Sequence, residues 1–496
     1  MSSSGSNPTL YIYPVNETHV CLDGDRGMLM DLHEYMSYEV PGAQWTNAYK
    51  MKMWDGKQRL LNSTNFRIYK GLLQYVEMFA RSREWDIEKD PALDVTPEPF
   101  NAKEFCDSLK LTKTPYDFQY EAIQRAVDEN RATFISPTSS GKSLIIYCLV
   151  RYYLKKFNLE KKILITEPTT RLVKQMMTEW QAYSPEFPIE KLTHLIYDGA
   201  TKETNKPVII STWQALTTIS RDYLNQFDCI MADECHGAKA QELKSIFEKS
   251  TLCKHRFGFT GTLDETECHR LVIEGLTGPA ITVAKTKELM DRGIVSELAI
   301  KCMILSYDEE TRAKCKSFKW QDEVDFIVHN EKRNKFIANL VSAMKPEDNT
   351  LILTEYHEKK AHCDLLKEAI LKVLPNKKVI IVHGKTKEDS EQVRRYMEEN
   401  TGVILIATFG VFSTGVSINN IQNILFATFS KSIIRVLQSL GRGLRLDGKT
   451  NILNAFDIVD DLTYKGKRNH LVKHFMERIR IYLKEGHTYK TYTINI

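Results

Sequence analysis

Ser136-Pro137-Thr138-Ser139-Ser140-Gly141-Lys142-Ser143 is the stretch on which the fold turns. Ahead of it, Ala132-Thr133-Phe134-Ile135 is a short apolar run of the kind that forms a buried strand. Behind it, Leu144-Ile145-Ile146-Tyr147-Cys148-Leu149-Val150 continues as a helix to about Phe157. Strand, small-residue loop, Gly-Lys-Ser and helix, in that order, describe a loop that cradles the phosphates of a nucleoside triphosphate. Backbone N–H groups at the helix start point at the anion, and the helix dipole favours negative charge there. Thr138, Ser139 and Ser140 line the loop, and Gly141 lets its backbone close on the phosphates. Lys142 can reach the β- and γ-phosphates, and the Ser143 hydroxyl can hold Mg²⁺. Ser136 stands where the usual pattern has its first glycine.

Outward from this loop the chain alternates apolar runs with helical patterns, the mark of parallel sheets wound by crossovers. Runs at 132–136, 162–166, 193–197, 207–211, 229–232 and 257–260 predict one α/β unit. After a less regular stretch around residues 300–330, runs at 351–354, 379–382, 403–408, 424–427 and 452–456 predict a second. His357–Leu374 reads as a helix with Ala361, Leu365, Ala369 and Val373 on its apolar face. Residues 1–100 are compositionally separate: short strands near 11–13 and 19–22, helices near 32–38 and 71–83, then a linker marked by Asp90-Pro91, Pro97 and Pro99. The expected organisation is a small N-terminal domain (1–100), a nucleotide-binding α/β domain (101–295), a second α/β domain (296–461) and a basic helical tail (462–496). Only the first α/β unit carries a phosphate loop, which suits a cleft enzyme whose second domain closes on the nucleotide.

Composition sets the bounds. The 496 residues allow three or four domains, and a hydrophobic share of 42% with 27% charged is ordinary for a globular protein. A net charge of +4 says nothing about nucleic acid, but eight Lys/Arg against Glu477 and Glu485 make the last 35 residues basic. Ten cysteines without a Cys-x-x-Cys pair suit reduced thiols and argue against a disulfide framework or zinc site. His470 and His474 share a helical face but lack a further ligand. The serine-rich start is unlike a secretory leader, and no apolar run reaches spanning length, so a soluble cytoplasmic protein without membrane contact is expected. In the first hundred residues Tyr49–Arg59 reads as a hairpin with an Asp-Gly turn. Its Lys50, Lys52, Lys57 and Arg59, interleaved with aromatics such as Trp54, could hold a nucleic-acid backbone and stack on bases.

Asp233-Glu234-Cys235-His236 follows the apolar run Cys229–Ala232. A carboxylate at the carboxyl end of a parallel strand lies at the same sheet edge as the phosphate loop. There Asp233 can hold Mg²⁺, and Glu234 can orient and activate the attacking water.

These two motifs together resemble the superfamily 2 helicases, and further stretches fall in that family's order. Phe118-Gln119 looks like the motif that reads adenine, with Tyr116 or Phe118 stacking on the base. Pro168-Thr169-Thr170-Arg171 and Thr212-Trp213-Gln214 resemble strand-contacting loops. Thr260-Gly261-Thr262 resembles the motif coupling hydrolysis to movement. Thr408 with Ser413-Thr414-Gly415 matches the loop that touches both strand and nucleotide. Gln438-Ser439-Leu440-Gly441-Arg442-Gly443-Leu444-Arg445 completes the series, its two arginines reaching the transferring phosphoryl group. The resemblance covers residues 112–460. It implies two tandem RecA-like parallel-sheet domains behind a small α+β domain, ATP and Mg²⁺ as ligands, and catalysis by Lys142, Asp233, Glu234, Gln438, Arg442 and Arg445. Trp54-Asp55-Gly56-Lys57 and Val411–Gly415 add a likeness to the UvsW-type recombination helicases of tailed phages. That implies a monomer in the host cytoplasm driving ATP-dependent remodelling of branched or forked DNA, with RNA met in RNA–DNA hybrids. Junction migration, fork regression and D-loop or R-loop dissociation are the implied reactions. An RNA helicase and the motor of a restriction-type complex are the alternatives.

Overall fold

The computed structural model describes residues 7–94, 96–137, 140–197, 199–237, 240–261, 263, 267–294, 297–354, 361–383, 390–408, 420–427, 452–484 and 487–496. The chain divides into two compact units, residues 1–136 with 141–284 and residues 285–496 with 137–140.

In the first unit seven described strands lie parallel. Their spatial order is Ala280–Thr282, Arg131–Ile135, His255–Thr260, Phe227–Ala232, Lys162–Glu167, Val208–Thr212 and Thr193–Ile196. The central strands are buried along nearly all their length, as expected of a sheet covered on both faces. The helix that follows the phosphate loop, Lys142–Lys156, buries every residue from Leu144 to Val150. A helix enclosed all round has no polar stripe, which is why its sequence reads as a continuous apolar run. The edge strand Ala280–Thr282 escapes the pattern because it is three residues long and follows Gly278-Pro279.

The first hundred residues form a four-stranded sheet ordered Arg67–Tyr69, His19–Asp23, Thr9–Pro14, Asp86–Lys89. Leu10, Ile12, Val20 and Leu22 alternate inward from it. They share one core with Ile230, Phe247 and the 271–276 segment, so this sheet caps a face of the nucleotide-binding unit and has no separate core. Two glycines permit the contact: a Cβ on Gly71 would lie 2.1 Å from Glu274 O, and one on Gly275 would lie 2.8 Å from the Tyr69 ring. The buried Arg256 guanidinium donates to Thr18 Oγ1 at 2.9 Å and to Phe247 O at 3.1 Å, tying the two parts further.

Tyr49–Arg59 is not a hairpin. Asn47–Lys50 is a helical turn capped by the Thr46 side chain, and Lys57–Arg59 pairs antiparallel with Ser37–Glu39 upstream. The Asp-Gly pair redirects the chain instead of closing two arms: Asp55 Oδ1 accepts from Lys57 N at 3.1 Å and Gly56 takes φ +81°.

The second unit is again a parallel sheet of seven described strands. Their order is Val379–Val382, Ile404–Thr408, Thr350–Thr354, Asn423–Phe426, Ile452–Asp461, Glu297–Ser306 and Tyr489–Asn495. Two of these strands correct the sequence expectation. The stretch around 300 opens with a ten-residue strand, and the basic tail is not an appendage. Its helix His470–Lys484 is locked to the sheet by Arg478, which pairs with Asp457 at 2.8 and 2.9 Å, while Tyr482 Oη donates to the same carboxylate at 3.0 Å. The final strand then joins Glu297–Ser306. His470 and His474 pack against the Trp320 ring, at centroid distances of 6.3 and 4.6 Å.

The helix His362–Val373 buries His362, Cys363, Leu366 and Ile370, not the expected set; Val373 is exposed. Positions four apart advance 400° around the axis, so a strict i+4 series drifts off any one face; alternating steps of three and four stay on it.

Candidate nucleotide site and strand-contact surfaces

Ser136, Glu167, Thr212, Asp233 and Thr260 all lie at the carboxyl ends of strands in the first sheet, so the topology brings five separate motifs to one edge. Gly141 takes φ +82° at the start of the helix, and a Cβ there would meet Gln119 Nε2 at 2.3 Å. Only glycine fits that backbone and that close approach. Lys142 Nζ donates to Ser136 O at 3.2 Å and lies 3.5 Å from Glu234 Oε1. Ser140 Oγ donates to Pro137 O at 2.5 Å. The Ser143 hydroxyl is buried without a hydrogen-bond partner among the described residues.

The acidic turn is held from several sides. Asp233 N donates to Thr166 O at 3.0 Å, and Asp233 Oδ1 accepts from Glu234 N at 2.9 Å. Glu234 adopts φ +47°, a left-handed conformation uncommon outside glycine that swings its carboxylate towards Lys142. Burial, and then the neighbouring Glu234, push the Asp233 carboxyl up to about 7. His236 is buried; its Nδ1 lies 2.5 Å from Thr260 Oγ1 and 3.4 Å from Glu234 Oε2. Ser136 N in turn donates to Thr260 O at 2.8 Å. Phosphate loop, lysine, acidic turn, His236 and Thr260 thus form a closed circuit of contacts. His236 was legible only as a letter of its motif, whereas its position makes it the link between the acids and Thr260-Gly261.

Other expected residues are placed differently. Tyr116 is 45% exposed with its ring stacked on Phe118 at 5.4 Å, while Phe118 is buried. Tyr116 therefore offers the ring face, and Phe118 supports it from below. Gln119 is buried and engaged within the protein: Oε1 accepts from Tyr116 N at 2.8 Å, and Nε2 donates to Gly141 O at 3.4 Å. Its amide braces the phosphate loop. Trp213, expected on a strand-contacting surface, is 2% exposed and its indole N–H donates to Thr166 Oγ1 at 3.0 Å. It is core; Gln214 beside it is exposed, and Thr212 is buried. Pro168, Thr169, Thr170 and Arg171 are half-buried at a helix start that Thr169 caps. Thr408 is buried at the end of its strand. Thr138, Ser139, Thr262, Ser413, Thr414, Gly415, Gln438, Arg442 and Arg445 lie outside the described residues.

In the first hundred residues Lys57 pairs with Glu34 and Arg59 with Asp55, and the Trp54 indole donates to Lys57 O at 2.8 Å. What faces solvent is a neighbouring set: Trp45, Tyr49, Met51 and Met53, with Lys50 and Lys52 between them. Trp45 and the two methionines carry no signal in the sequence, because single apolar residues between polar ones have no period.

Two parallel α/β units in tandem, with a phosphate loop and a carboxylate-bearing strand end in the first, define a superfamily 2 helicase, an ATP-hydrolysing enzyme. Three family models match in sequence: "DNA helicase UvsW, N-terminal" at residues 15–90, "Type III restriction enzyme, res subunit" at 112–265 and "Helicase conserved C-terminal domain" at 331–447. The ATP-dependent DNA helicase uvsW of Enterobacteria phage T4 is 31% identical over 504 residues, an alignment spanning 97% of this chain and 98% of that one. The chain belongs to the UvsW helicase family. A crystal structure of T4 UvsW matches with a TM-score of 0.51 and 28% identity, over 98% of this chain and 99% of that one. A type I restriction HsdR fragment from Vibrio vulnificus shares the fold, with a TM-score of 0.59 at 16% identity over 80% and 72% of the two chains. A type I restriction endonuclease subunit of Escherichia coli, EcoAI, is 21% identical over 70% of this chain and 46% of its own. Among the described residues no helix is long and apolar enough to cross a membrane.

Proposed function

We propose that this chain is a DNA motor that remodels branched or forked DNA in the host cytoplasm, migrating junctions, regressing forks and dissociating D-loops and R-loops. The observation that carries this reading is the extent of the likeness. It runs through residues 15–90 as well as both α/β units, to a protein named as a DNA helicase, whereas the restriction subunit aligns with 70% of this chain. A restriction motor or an RNA helicase would account for the α/β units alone.

In this mechanism ATP lies against the phosphate loop, with its base on Tyr116 and its phosphates on the backbone N–H groups of 140–143 and on Lys142. The residues present fit Mg²⁺: the Ser143 hydroxyl is buried without a partner among the described residues, and Asp233 stands at a strand end of the same sheet edge. Ser143 and Asp233 would hold the ion, which when bound neutralises charge on the β- and γ-phosphates. Glu234 orients the attacking water and accepts its proton; Lys142, 3.5 Å away, holds that carboxylate in place and shifts its charge to the phosphates when they arrive. Arg442 and Arg445 neutralise the transferring phosphoryl group, and Gln438 supports them. Loss of the γ-phosphate reaches the strand-contacting residues through Glu234, His236 and Thr260-Gly261-Thr262. Pro168–Arg171, Gln214, Thr408 and the 413–415 loop hold the strand by its phosphates, which makes grip insensitive to sequence and sensitive to salt. Lys50 and Lys52, flanked by Trp45, Tyr49, Met51 and Met53, form a surface for phosphates and unstacked bases at the branch.

ATPase stimulation by single strands, duplexes, forks, four-way junctions and RNA hybrids tests the reading, with Arg442→Ala alongside. Forks and junctions should stimulate most, and Arg442→Ala should lose about 10³-fold or more in turnover with ATP affinity nearly unchanged. Equal stimulation by RNA and junctions would sink the branched-DNA assignment.

A further inference from the structure

Glu167 closes the apolar strand Lys162–Glu167 and is 1% exposed, with Oε2 lacking a hydrogen-bond partner among the described residues. Its strand lies directly beside the one that leads into Asp233: Ala232 is in register with Thr166, and Asp233 N donates to Thr166 O at 3.0 Å. The two carboxyl groups therefore leave the same sheet edge from neighbouring strands, roughly 5 Å apart at the backbone. Asp233, Glu234, Glu179 and Lys142 are the charges that act on Glu167, and three of the four belong to the phosphate-loop site. Burial, and then Asp233 and Glu234, hold it well above the usual carboxylate range.

A carboxyl buried without a partner is costly, and the preceding Ile163, Leu164 and Ile165 show what an ordinary residue in this strand would be. One lysine is set against four acids here, Glu167, Asp233, Glu234 and Glu179, and that lysine is already placed against Glu234. The group that removes the imbalance is a divalent cation with its water shell, which has room for oxygen ligands beyond one serine and one aspartate. Resting on the nucleotide-site reading above, we propose that Glu167 is a metal-positioning residue, pairing with Asp233 to hold the water shell of the Mg²⁺ that accompanies ATP. Glu167 is followed at once by Pro168-Thr169-Thr170-Arg171, so the same carboxylate ties metal occupancy to a strand-contacting loop.

The test measures Mn²⁺, as a stand-in for Mg²⁺, binding to the full chain saturated with ADP, by loss of the free-ion electron paramagnetic resonance signal. ADP affinity measured without metal serves as the control for folding. Glu167→Gln should weaken Mn²⁺ binding about tenfold and leave metal-free ADP affinity within twofold, while Glu167→Asp should retain part of the loss-free affinity. Asp233→Asn is run beside them. If Asp233→Asn abolishes Mn²⁺ binding and Glu167→Gln leaves it within twofold, the Glu167 role is overturned and the nucleotide site stands. If neither change alters Mn²⁺ binding, both the Glu167 role and the metal assignment fall. If Glu167→Gln loses metal-free ADP binding as well, its role is structural and the proposal is overturned.

Discussion

At the residue scale the site concentrates acid where burial penalises it. Asp233 has its carboxyl raised to about 7 by burial and then by Glu234, against about 4 in an unfolded chain. The sign follows: the folded state resists ionising this group, so the penalty is absent below the unfolded value, grows as pH rises and is complete above about 7. Asp233→Asn should therefore raise the melting temperature of the nucleotide-free chain at pH 7.5 while eliminating hydrolysis. A lowered melting temperature would show that Asp233 is satisfied in a way its surroundings do not account for. Glu234, left-handed at φ +47°, and Gly141 at φ +82° are the backbone counterparts of this concentration of function. Much of this was legible in sequence, because Gly-Lys-Ser and Asp-Glu-x-His have fixed spacings with a chemical reason. Glu167 was legible in principle as a lone acid ending an apolar strand, but one residue has no spacing to test. Trp213 misled for a physical reason: an aromatic at a strand end suits base stacking and core packing equally, and only its bond to Thr166 decides between them.

At the scale of elements, the sheets were legible where strands are long and enclosed on both faces. The edge strand Ala280–Thr282 and the outermost strand Tyr489–Asn495 were not, since a strand buried on fewer sides keeps polar residues. The C-terminal helix shows the same limit. Its basic composition suggested solvent or phosphate contact, yet Arg478 is 2% exposed and paired with Asp457, itself buried. Arg478→Ala leaves that carboxylate without its partner and should destabilise the second unit by about 3–5 kcal/mol, read as an early unfolding step in denaturant. Arg480→Ala on the same helix is the control and should change little. Acid sensitivity belongs to this scale too. Burial, and then nearby lysines, push the His255 imidazole down to about 3, and burial lowers His487 to about 4. Each is neutral in the fold and gains a proton on unfolding below about 6.5. Their contribution is complete above that pH and is lost as pH falls towards the folded values, at up to about 1.4 kcal/mol per pH unit per group. His255→Gln should flatten the loss of stability between pH 6.5 and 4; an unchanged slope would remove His255 from that account.

At the scale of the whole molecule, two sheets of one design carry different motifs, and a capping sheet shares the core of the first. Tandem repetition of the α/β pattern made the architecture readable from the sequence. The fusion of the first hundred residues to the first unit was not readable, because it depends on Gly71 and Gly275 letting two backbones touch, and neither glycine lies in a recognisable motif. That fusion bears on the proposed function: the surface proposed to meet the branch shares a core with the first α/β unit and has no separate core of its own. The proposition beneath all three scales is that Lys142, braced by Glu234 and Ser136, makes ATP hydrolysis possible and that DNA controls its rate. The most direct test is steady-state ATP hydrolysis by the purified chain and by Lys142→Ala, each with and without a four-way DNA junction. The account predicts strong stimulation of the wild-type chain by the junction and a loss of at least about 10²-fold in Lys142→Ala, with junction binding retained. Junction-stimulated hydrolysis at the wild-type rate in Lys142→Ala would contradict it.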